Sequence, residues 1–458
     1  MRAGAVSTLA TVILAGVLAS ANAAESVSPA ALRDASTGSN AASTAPPAAS
    51  SRPQFRIRPA DEGWGATLPR DADAATQAYL DRLPIDVVAR SNAYFEGGYW
   101  LQLWNLLLGL AVALILLTGR RAARMRDWAQ RIGRKPFLRD AIFGALYAVA
   151  AWLLSLPLTI YQGYVREHQY AMATQSFGPW FTEQLVGLAV TTVVLALVAA
   201  VFYAVLRRVG AHWWLWGTLV AVAFLTMLVL VGPVLIDPLF NTYKPVADGP
   251  VKKAVLTMAH ANGVPADNIY EFDASRQTTR VSANVSGIFG SASVRLNDNL
   301  LRRSSVPEIR AVMGHELGHY VLNHVYKWIA AMTLVFLAGF LFTQWAMAAL
   351  LARFGGRFAL HGVSDVASFP LLVAVISVFA FAATPITNTL IRTQEIEADR
   401  FGLNLAREPH GAAEVDLKLT EYRKPDPTPV EEFVFFDHPS TRFRVHDAMR
   451  WREAMGTP

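Results

Sequence analysis

The sequence lacks cysteine altogether and has few charged residues. Without a cysteine among its 458 residues, the chain cannot form disulfides, a thiolate metal site or a cysteine nucleophile, so any transition-metal site must use His, Asp or Glu. Charged residues make up 17% of the chain and hydrophobic residues 53%, which favours a membrane protein over a water-soluble globule. The net charge of +6 is distributed between apolar runs, so we predict no nucleic-acid partner.

The first residues are typical of a secretory signal. Arg2 precedes an apolar stretch, and Ala21-Asn22-Ala23 matches a small-x-small cleavage site. We predict a signal peptide at residues 1–23, and the alternative is an uncleaved membrane anchor. The residues that follow are rich in Ala, Ser, Thr and Pro, so residues 24–98 are expected to form an extracytoplasmic segment that is flexible at first and then partly ordered.

Six uncharged apolar runs dominate the rest of the sequence. The runs are residues 99–118, 141–161, 185–206, 213–236, 328–352 and 366–391. Each has the roughly twenty residues that a bilayer crossing needs. Prolines inside several runs are tolerated only where neighbouring helices or water satisfy the freed carbonyls. We therefore predict a mainly α, polytopic membrane helix bundle.

The basic residues indicate the orientation of the bundle. Lys and Arg are concentrated at residues 120–135, between the first two runs, whereas the link after the second run has only Arg166. Under the positive-inside rule the first link is cytoplasmic. Residues 237–326 and 392–458 then share the opposite side and can form one polar domain. We predict a multi-pass protein of a bacterial inner membrane with this domain in the periplasm, and the alternative is a domain that faces the cytoplasm.

Local patterns predict the secondary structure of the polar domain. Residues 248–262 are expected to form a helix, followed by a small β-hairpin or sheet. The predicted strands are residues 269–272, 280–288 and 292–296. Ser305 and Glu308 match a capping box, and the helix that they open is expected to run to about Val325.

This last helix contains His315-Glu316-Leu317-Gly318-His319. Histidines four apart lie one turn above the other on one face, so both imidazoles can bind one ion, and Glu316 can address a water bound to it. Zinc suits imidazole and carboxylate ligands with one open position. We predict one Zn²⁺ per chain, with His315 and His319 as ligands and Glu316 as general base. The alternative is a solvated helix face with incidental histidines.

A catalytic zinc usually has three protein ligands. A metzincin-type third histidine is absent because residue 325 is a valine, and His324 is predicted to lie off the ligand face. We assign Glu395 as the third ligand, since the chain after the sixth run returns to the side of the histidines. Asp399 shares a helix face with Glu395 and can accept the far N–H of a ligand histidine. Glu397 is about 200° away from Glu395 and is predicted to face elsewhere.

Several short motifs occur in a characteristic order between the apolar runs. They are Leu156-Pro157 with Tyr161 and Glu167, Pro238-Leu239-Phe240-Asn241, His315 to His319, Glu395 to Asp399, and His438-Pro439. In this order the chain resembles the type I CaaX prenyl protease family of integral-membrane zinc peptidases, from about Tyr99 onward. The resemblance implies the same zinc ligands and general base that the spacing indicates.

The resemblance also implies roles for three further residues. His438 and Arg444 match a family His-Pro pair and an Arg six residues on, which implies contacts to the substrate or to the developing oxyanion. Without the resemblance, His438 would be interpreted as a residue at a helix start. Asn284 matches an Asn of the family hairpin, which implies pairing with an extended substrate. The chain departs from the family at Ser282 and Ser286, where a His and an aromatic residue are usual. In the eukaryotic members the first link faces the lumen, opposite to the orientation that the charges indicate here.

Together these features predict an integral-membrane zinc metalloendopeptidase for membrane-associated or membrane-derived polypeptides. Its expected partners are the lipid bilayer and a peptide or protein substrate. The alternative is an inactive membrane channel or binding scaffold of the same fold. The predicted divisions are the signal peptide at 1–23, the N-terminal segment at 24–98, a four-helix transmembrane region at 99–236, the first part of the peptidase domain at 237–326, two further transmembrane helices at 327–391, and the rest of the peptidase domain at 392–458.

Overall fold

The structure is a computed structural model that describes residues 55–61, 63–286 and 292–456. The predicted signal peptide and the predicted hairpin tip at 287–291 lie outside these residues. The helices are α1 (Ala72–Leu80), α2 (Ile85–Leu117), α3 (Arg121–Ile132), α4 (Pro136–Ile160), α5 (Arg166–Gln169), α6 (Phe177–Val209), α7 (Trp213–Val231), α8 (Pro250–Ala261), α9 (Asp298–Arg303), α10 (Val306–Val321), α11 (His324–Phe358), α12 (Phe369–Ala406), α13 (Pro409–Leu419), α14 (Pro429–Phe435) and α15 (Thr441–Met455). The strands are β1 (Tyr243–Pro245), β2 (Ile269–Phe272), β3 (Ala283–Ser286) and β4 (Ser293–Asn297).

The predicted membrane bundle is present. Within the described residues, five continuous helical stretches are long and apolar enough to cross a membrane. One of them, Phe177–Leu239, has 63 residues and as a single rod would extend about 95 Å, about three times the thickness of a bilayer core. The stretch folds back at Gly210, whose φ of 58° and ψ of −128° suit glycine. As a result, α6 and α7 pack side by side, and the six predicted runs fall on α2, α4, α6, α7, α11 and α12.

The strands form a mixed sheet in the order β1-β2-β4-β3. β3 and β4 pair antiparallel, as predicted for a hairpin. In addition, β4 pairs parallel with β2, and β2 pairs antiparallel with β1, so the predicted β-structure is part of a larger sheet. β3 lies at one edge of the sheet and packs against α10. The edge strand is therefore beside the helix that has both histidines.

The polar domain has its own hydrophobic core. Leu300, Ile309 and Leu317 from the first polar segment are at most 1% exposed, and they belong to one cluster with Ala406 and Leu419 from the last segment. Burial of each large apolar side chain contributes about 1.5–3 kcal/mol. This cluster holds together two parts of the chain that two membrane helices separate in sequence.

The N-terminal segment also packs onto the polar domain. α1 lies against α15, and Tyr79 at the end of α1 is 1% exposed. The Tyr79 hydroxyl is 2.7 Å from His410 Nδ1. Residues 72–80 therefore pack as an ordered part of the polar domain.

The prediction that the histidine helix runs to about Val325 is wrong. α10 ends at Val321, and Asn323 has a φ of 58°. This left-handed conformation costs most residues about 1–2 kcal/mol, but Asn tolerates it. A new helix, α11, begins directly afterwards at His324. The chain therefore bends sharply between the histidine helix and the membrane helix that follows it.

Candidate metal centre

α10 brings the two histidines of the motif to one point. The helix start is fixed by the predicted capping box, in which the Ser305 and Glu308 side chains accept hydrogen bonds from each other's backbone N–H. From this start, His315 and His319 lie on one face of α10. Their Nε2 atoms are 3.0 Å apart, so both can bind the same ion.

Small residues let α12 approach α10 closely. A Cβ added at Gly314 would lie 2.9 Å from the carbonyl oxygen of Gly402, and one added at Gly402 would lie 2.7 Å from the backbone nitrogen of His315. A side chain at either position would therefore push the helices apart. The close contact brings in Glu395, which is fully buried. Glu395 Oε2 is 3.3 Å from His315 Nε2, and Glu395 Oε1 is 3.3 Å from His319 Nε2.

These three side chains fit a metal ion. Tetrahedral zinc with bonds of about 2.0–2.1 Å requires ligand atoms about 3.3 Å apart. The two histidine Nε2 atoms are 3.0 Å apart, and each lies 3.3 Å from a different oxygen of the Glu395 carboxylate. One donor atom from each side chain lies within 4.8 Å of the other two. Glu395 Oε1 is buried and accepts no hydrogen bond from any described residue. A buried carboxylate oxygen without a donor is costly unless a cation satisfies it. His315, His319 and Glu395 could therefore hold the ion.

Asp399 lies one turn after Glu395 and contacts His315 from the other side of the ring. His315 Nδ1 is 2.7 Å from Asp399 Oδ1, an arrangement that leaves Nε2 free for a metal. Burial disfavours protonation of His315, but Asp399 and Glu395 outweigh burial and raise the pKa of His315 to about 9. In the metal-free protein a proton therefore competes with the metal at this ligand.

Arg444 on α15 lies behind the two carboxylates. Its Nη2 is 2.9 Å from Glu395 Oε2, and its Nε is 3.1 Å from Asp399 Oδ2. A third carboxylate, Asp416, has Oδ1 3.5 Å from Arg444 Nη1. Burial disfavours the charge of Arg444, but the three carboxylates raise its pKa above the ordinary value. A single buried guanidinium thus compensates three carboxylates.

His438 is next to the same ligand carboxylate. Its Nε2 is 3.3 Å from Glu395 Oε2, and its Nδ1 is 2.8 Å from Asp437 Oδ1. The cap of α15 is Ser440, so His438 lies before the helix start and is not itself the capping residue. The structure therefore brings His438 within reach of any group bound at the metal position.

Glu316 and Asn284 complete the set of predicted site residues. Glu316 follows His315 on α10 and is 5% exposed. Asn284 is on the edge strand β3, 8% exposed, and neither its amide oxygen nor its amide nitrogen has a hydrogen-bond partner among the described residues. Buried polar atoms are rarely left unsatisfied, so this amide is suited to contact a bound molecule.

Three contacts of the centre could not be predicted from the sequence. Asp416 is in contact with Arg444, and no local pattern links residues on two different helices. His324 is predicted to lie off the ligand face, and it begins α11, but the sequence does not indicate that its Nδ1 lies 2.9 Å from His319 Nδ1. The third contact joins Glu397 to His324, with Glu397 Oε2 3.1 Å from His324 Nε2.

Comparisons with known proteins identify the family of this chain. A family described as CAAX prenyl protease N-terminal, five membrane helices, matches residues 70–242, and Peptidase family M48 matches residues 245–452. The uncharacterized metalloprotease YhfN of Bacillus subtilis is 31% identical over 342 residues, which are 74% of this chain and 80% of the relative. The chain belongs to peptidase family M48.

This M48 peptidase is also similar to eukaryotic proteins. CAAX prenyl protease 1 of Saccharomyces cerevisiae is 25% identical over 323 residues, which are 66% of this chain and 70% of the relative. The crystal structure of S. mikatae Ste24p has the same fold, with a TM-score of 0.68 and 20% sequence identity over 81% of this chain and 90% of that chain. The predicted family and fold class are confirmed. The M48 peptidase is a multi-pass membrane metalloprotease, and its family implies a metal ion.

Proposed function

We propose that this M48 peptidase is a zinc-dependent endopeptidase that cuts membrane-associated or membrane-derived polypeptides. The main support is the convergence of His315, His319 and Glu395, which offer one donor atom each within 4.8 Å of one another. The two histidine Nε2 atoms are 3.0 Å apart, and imidazole and carboxylate donors of this kind suit tetrahedral zinc. The location of these atoms next to a membrane bundle supports substrates that are themselves at the membrane.

The proposed mechanism uses one acid–base residue. When bound, zinc supplies a Lewis acid that activates water and polarises the scissile carbonyl. Glu316 accepts a proton from the attacking water and returns it to the leaving amine nitrogen. One water is consumed, the peptide C–N bond breaks, and Glu316 is restored as a carboxylate.

We further propose that β3 holds the substrate in an extended conformation. β3 has an edge without a neighbouring strand in the described sheet, and such edges bind peptides by strand addition. The amide of Asn284, which has no hydrogen-bond partner in the described part of the chain, would bind the substrate backbone there. His438, 3.3 Å from the ligand carboxylate, would contact the oxyanion. Arg444 faces three carboxylates, so its proposed role is to hold Glu395 and Asp399 in place for the metal.

The proposed substrates are not restricted to prenylated proteins. The yeast relative is named for prenylated CaaX substrates, and such proteins are cytosolic, whereas the basic link at 120–135 supports a catalytic domain outside the cytoplasm. We therefore propose that membrane peptides without a prenyl group are among the substrates. Comparison of the membrane proteome of cells with the active protein and cells with Glu316→Gln would identify them, since true substrates accumulate only in the variant.

Replacement of Glu316 tests the mechanism. Glu316→Gln should retain about one zinc per chain but hydrolyse peptides at least about a hundredfold more slowly, because it removes the general base and leaves the ligands intact. Glu453→Gln, on the exposed end of α15, is the matched control and should behave like the parent. Turnover in Glu316→Gln close to that of the parent would contradict the mechanism, and an inactive parent would favour the scaffold alternative.

Cysteine labelling tests the orientation. The native chain has no cysteine, so a single introduced thiol has no background. Ala261 and Ala454 are exposed in the polar domain, and Gln130 is exposed in the basic link. We expect Ala261→Cys and Ala454→Cys to react with an impermeant thiol reagent in intact cells with a permeable outer membrane, while Gln130→Cys stays unlabelled. The opposite pattern would establish a cytoplasmic active site.

A further inference from the structure

The break between α10 and α11 has a consequence for the second ligand histidine. On a continuous helix, residues five apart point about 140° away from each other around the axis. The left-handed conformation of Asn323, with a φ of 58°, redirects the chain so that His324 faces back toward His319. The His324 side chain is 3% exposed and packs edge-on against the His319 ring, with ring centroids 4.9 Å apart.

Hydrogen bonds extend from His319 to the surface of the domain. His319 Nδ1 is 2.9 Å from His324 Nδ1, and His324 Nε2 is 3.1 Å from Glu397 Oε2. Glu397 Oε2 is in turn 2.7 Å from Lys327 Nζ. One arrangement of protons satisfies all of these contacts with both rings neutral. His319 donates from Nδ1 to His324 Nδ1, and His324 donates from Nε2 to Glu397.

This arrangement fixes the tautomer of His319. With its proton on Nδ1, His319 presents an unprotonated Nε2 toward Glu395 Oε1, 3.3 Å away. We infer that His324 and Glu397 are positioning residues that hold the ring plane and tautomer of His319 for metal binding. The inference deepens the proposed function, on which it rests.

The two ligand histidines are thus oriented in different ways. His315 donates directly to the carboxylate of Asp399 at 2.7 Å, whereas His319 reaches the carboxylate of Glu397 through a second imidazole. Partners of this kind typically change metal affinity or activity by about ten- to a hundredfold when they are removed. We assign the larger part of that effect to His324, because it contacts the ligand and is buried, and the smaller part to Glu397, whose side chain is 45% exposed.

Four variants of the full-length protein test the assignment. In a chelator competition at constant pH, His324→Leu should bind zinc about ten- to a hundredfold more weakly. His324→Asn should stay within about threefold of the parent, because its side-chain oxygen can still accept the Nδ1 proton of His319. Glu397→Ala should weaken binding by about three- to tenfold. Lys327→Ala, the matched control, removes only an exposed ion pair and should stay within about twofold.

A second readout separates positioning from general damage to the fold. The visible absorption bands of the cobalt-loaded protein report ligand geometry, and they should change in His324→Leu but not in His324→Asn or Lys327→Ala. Parent-like zinc affinity and cobalt bands in His324→Leu would overturn the inference and leave the proposed function intact. If His324→Leu does not fold, Glu397→Ala decides, and parent-like affinity there has the same meaning. Absence of zinc from the parent would overturn both the inference and the proposed function.

Discussion

The two sides of the metal centre differ in how far they are shielded from solvent. Behind His315, Asp399 and Arg444 have side chains that are 16% and 8% exposed. Behind His319, the hydrogen bonds end at Glu397 and Lys327, whose side chains are 45% and 49% exposed. Charges on the His315 side are therefore separated by protein, which screens them weakly. Charges on the His319 side are largely screened by water.

This difference separates two tasks that polar networks perform. Exposed ion pairs contribute about 0–1 kcal/mol because water and salt screen them, so the His319 side can set geometry but adds little stability. A buried charge that loses its partner costs several kcal/mol. The His315 side should therefore determine both the stability of the domain and much of its metal affinity.

The largest expected effect comes from removal of the guanidinium on the buried side. Arg444→Leu leaves Glu395, Asp399 and Asp416 without their shared cation, which should destabilise the domain by about 3–5 kcal/mol. Arg400→Leu is the control, since Arg400 forms an exposed ion pair with Asp447 that should contribute at most about 1 kcal/mol. Thermal unfolding in one detergent measures both. An equal loss of stability in the two variants would contradict the proposed difference between buried and exposed charges.

An intermediate effect is expected at the partner of His315. Asp399→Ala should bind zinc about ten- to a hundredfold more weakly, because it removes the acceptor that fixes the tautomer of His315. By contrast, Glu395→Ala removes a ligand and should not retain zinc after dialysis. Metal analysis of the two variants after identical dialysis is the measurement. An Asp399→Ala protein as empty as Glu395→Ala would mean that Asp399 is itself a ligand.

Zinc affinity is expected to change gradually with pH. An ordinary histidine has a pKa of about 6.5, and in the metal-free protein the pKa of His315 is raised to about 9. Zinc must displace this proton, so zinc affinity should rise about tenfold per pH unit from pH 7 to about 9. The stability that the bound proton gives the metal-free fold is fully present below about pH 6.5 and is lost as pH rises through 9. The increase in Tm on zinc addition should therefore grow across this window.

The Asp399→Ala variant is the control for the pH effect. Asp399 is the main cause of the raised pKa of His315, so this pKa should be lower in Asp399→Ala. The rise of zinc affinity with pH should therefore end at a lower pH than in the parent. An identical pH profile in parent and variant would show that another group supplies the displaced proton.

Much of the fold could be predicted because its signals are local. The length and apolarity of six runs indicated the membrane helices, and the i, i+4 spacing of His315 with His319, and of Glu395 with Asp399, follows from the helical repeat. Ser305 and Glu308 are three residues apart, the spacing of a capping box, and so indicate where α10 begins. In each case the residues that determine the structural feature lie within one helical turn or one apolar run of the sequence.

The rest depends on contacts that no local pattern encodes. The parallel pairing of β2 with β4 joins strands that are not neighbours in the sequence. The contact of His324 with His319 depends on one left-handed residue, Asn323, and Asn also occurs in helices, so its identity alone did not indicate a break. The contact of Arg444 with Asp416 depends on how α13 and α15 pack against each other.

The continuity of α12 couples the metal centre to the bilayer. α12 has 38 residues and is about 57 Å long, well beyond the roughly 30 Å of a hydrocarbon core, so one unbroken helix extends from the membrane to Glu395. The histidines, in contrast, are joined to their membrane helix through the bend at Asn323. We expect a change in bilayer thickness that tilts α12 to move the carboxylate ligand directly, and to reach the imidazoles through the close contact of Gly314 on α10 with Gly402 on α12. We therefore expect zinc affinity to depend on the thickness of the surrounding bilayer or detergent micelle, so affinities should be compared in one lipid or detergent.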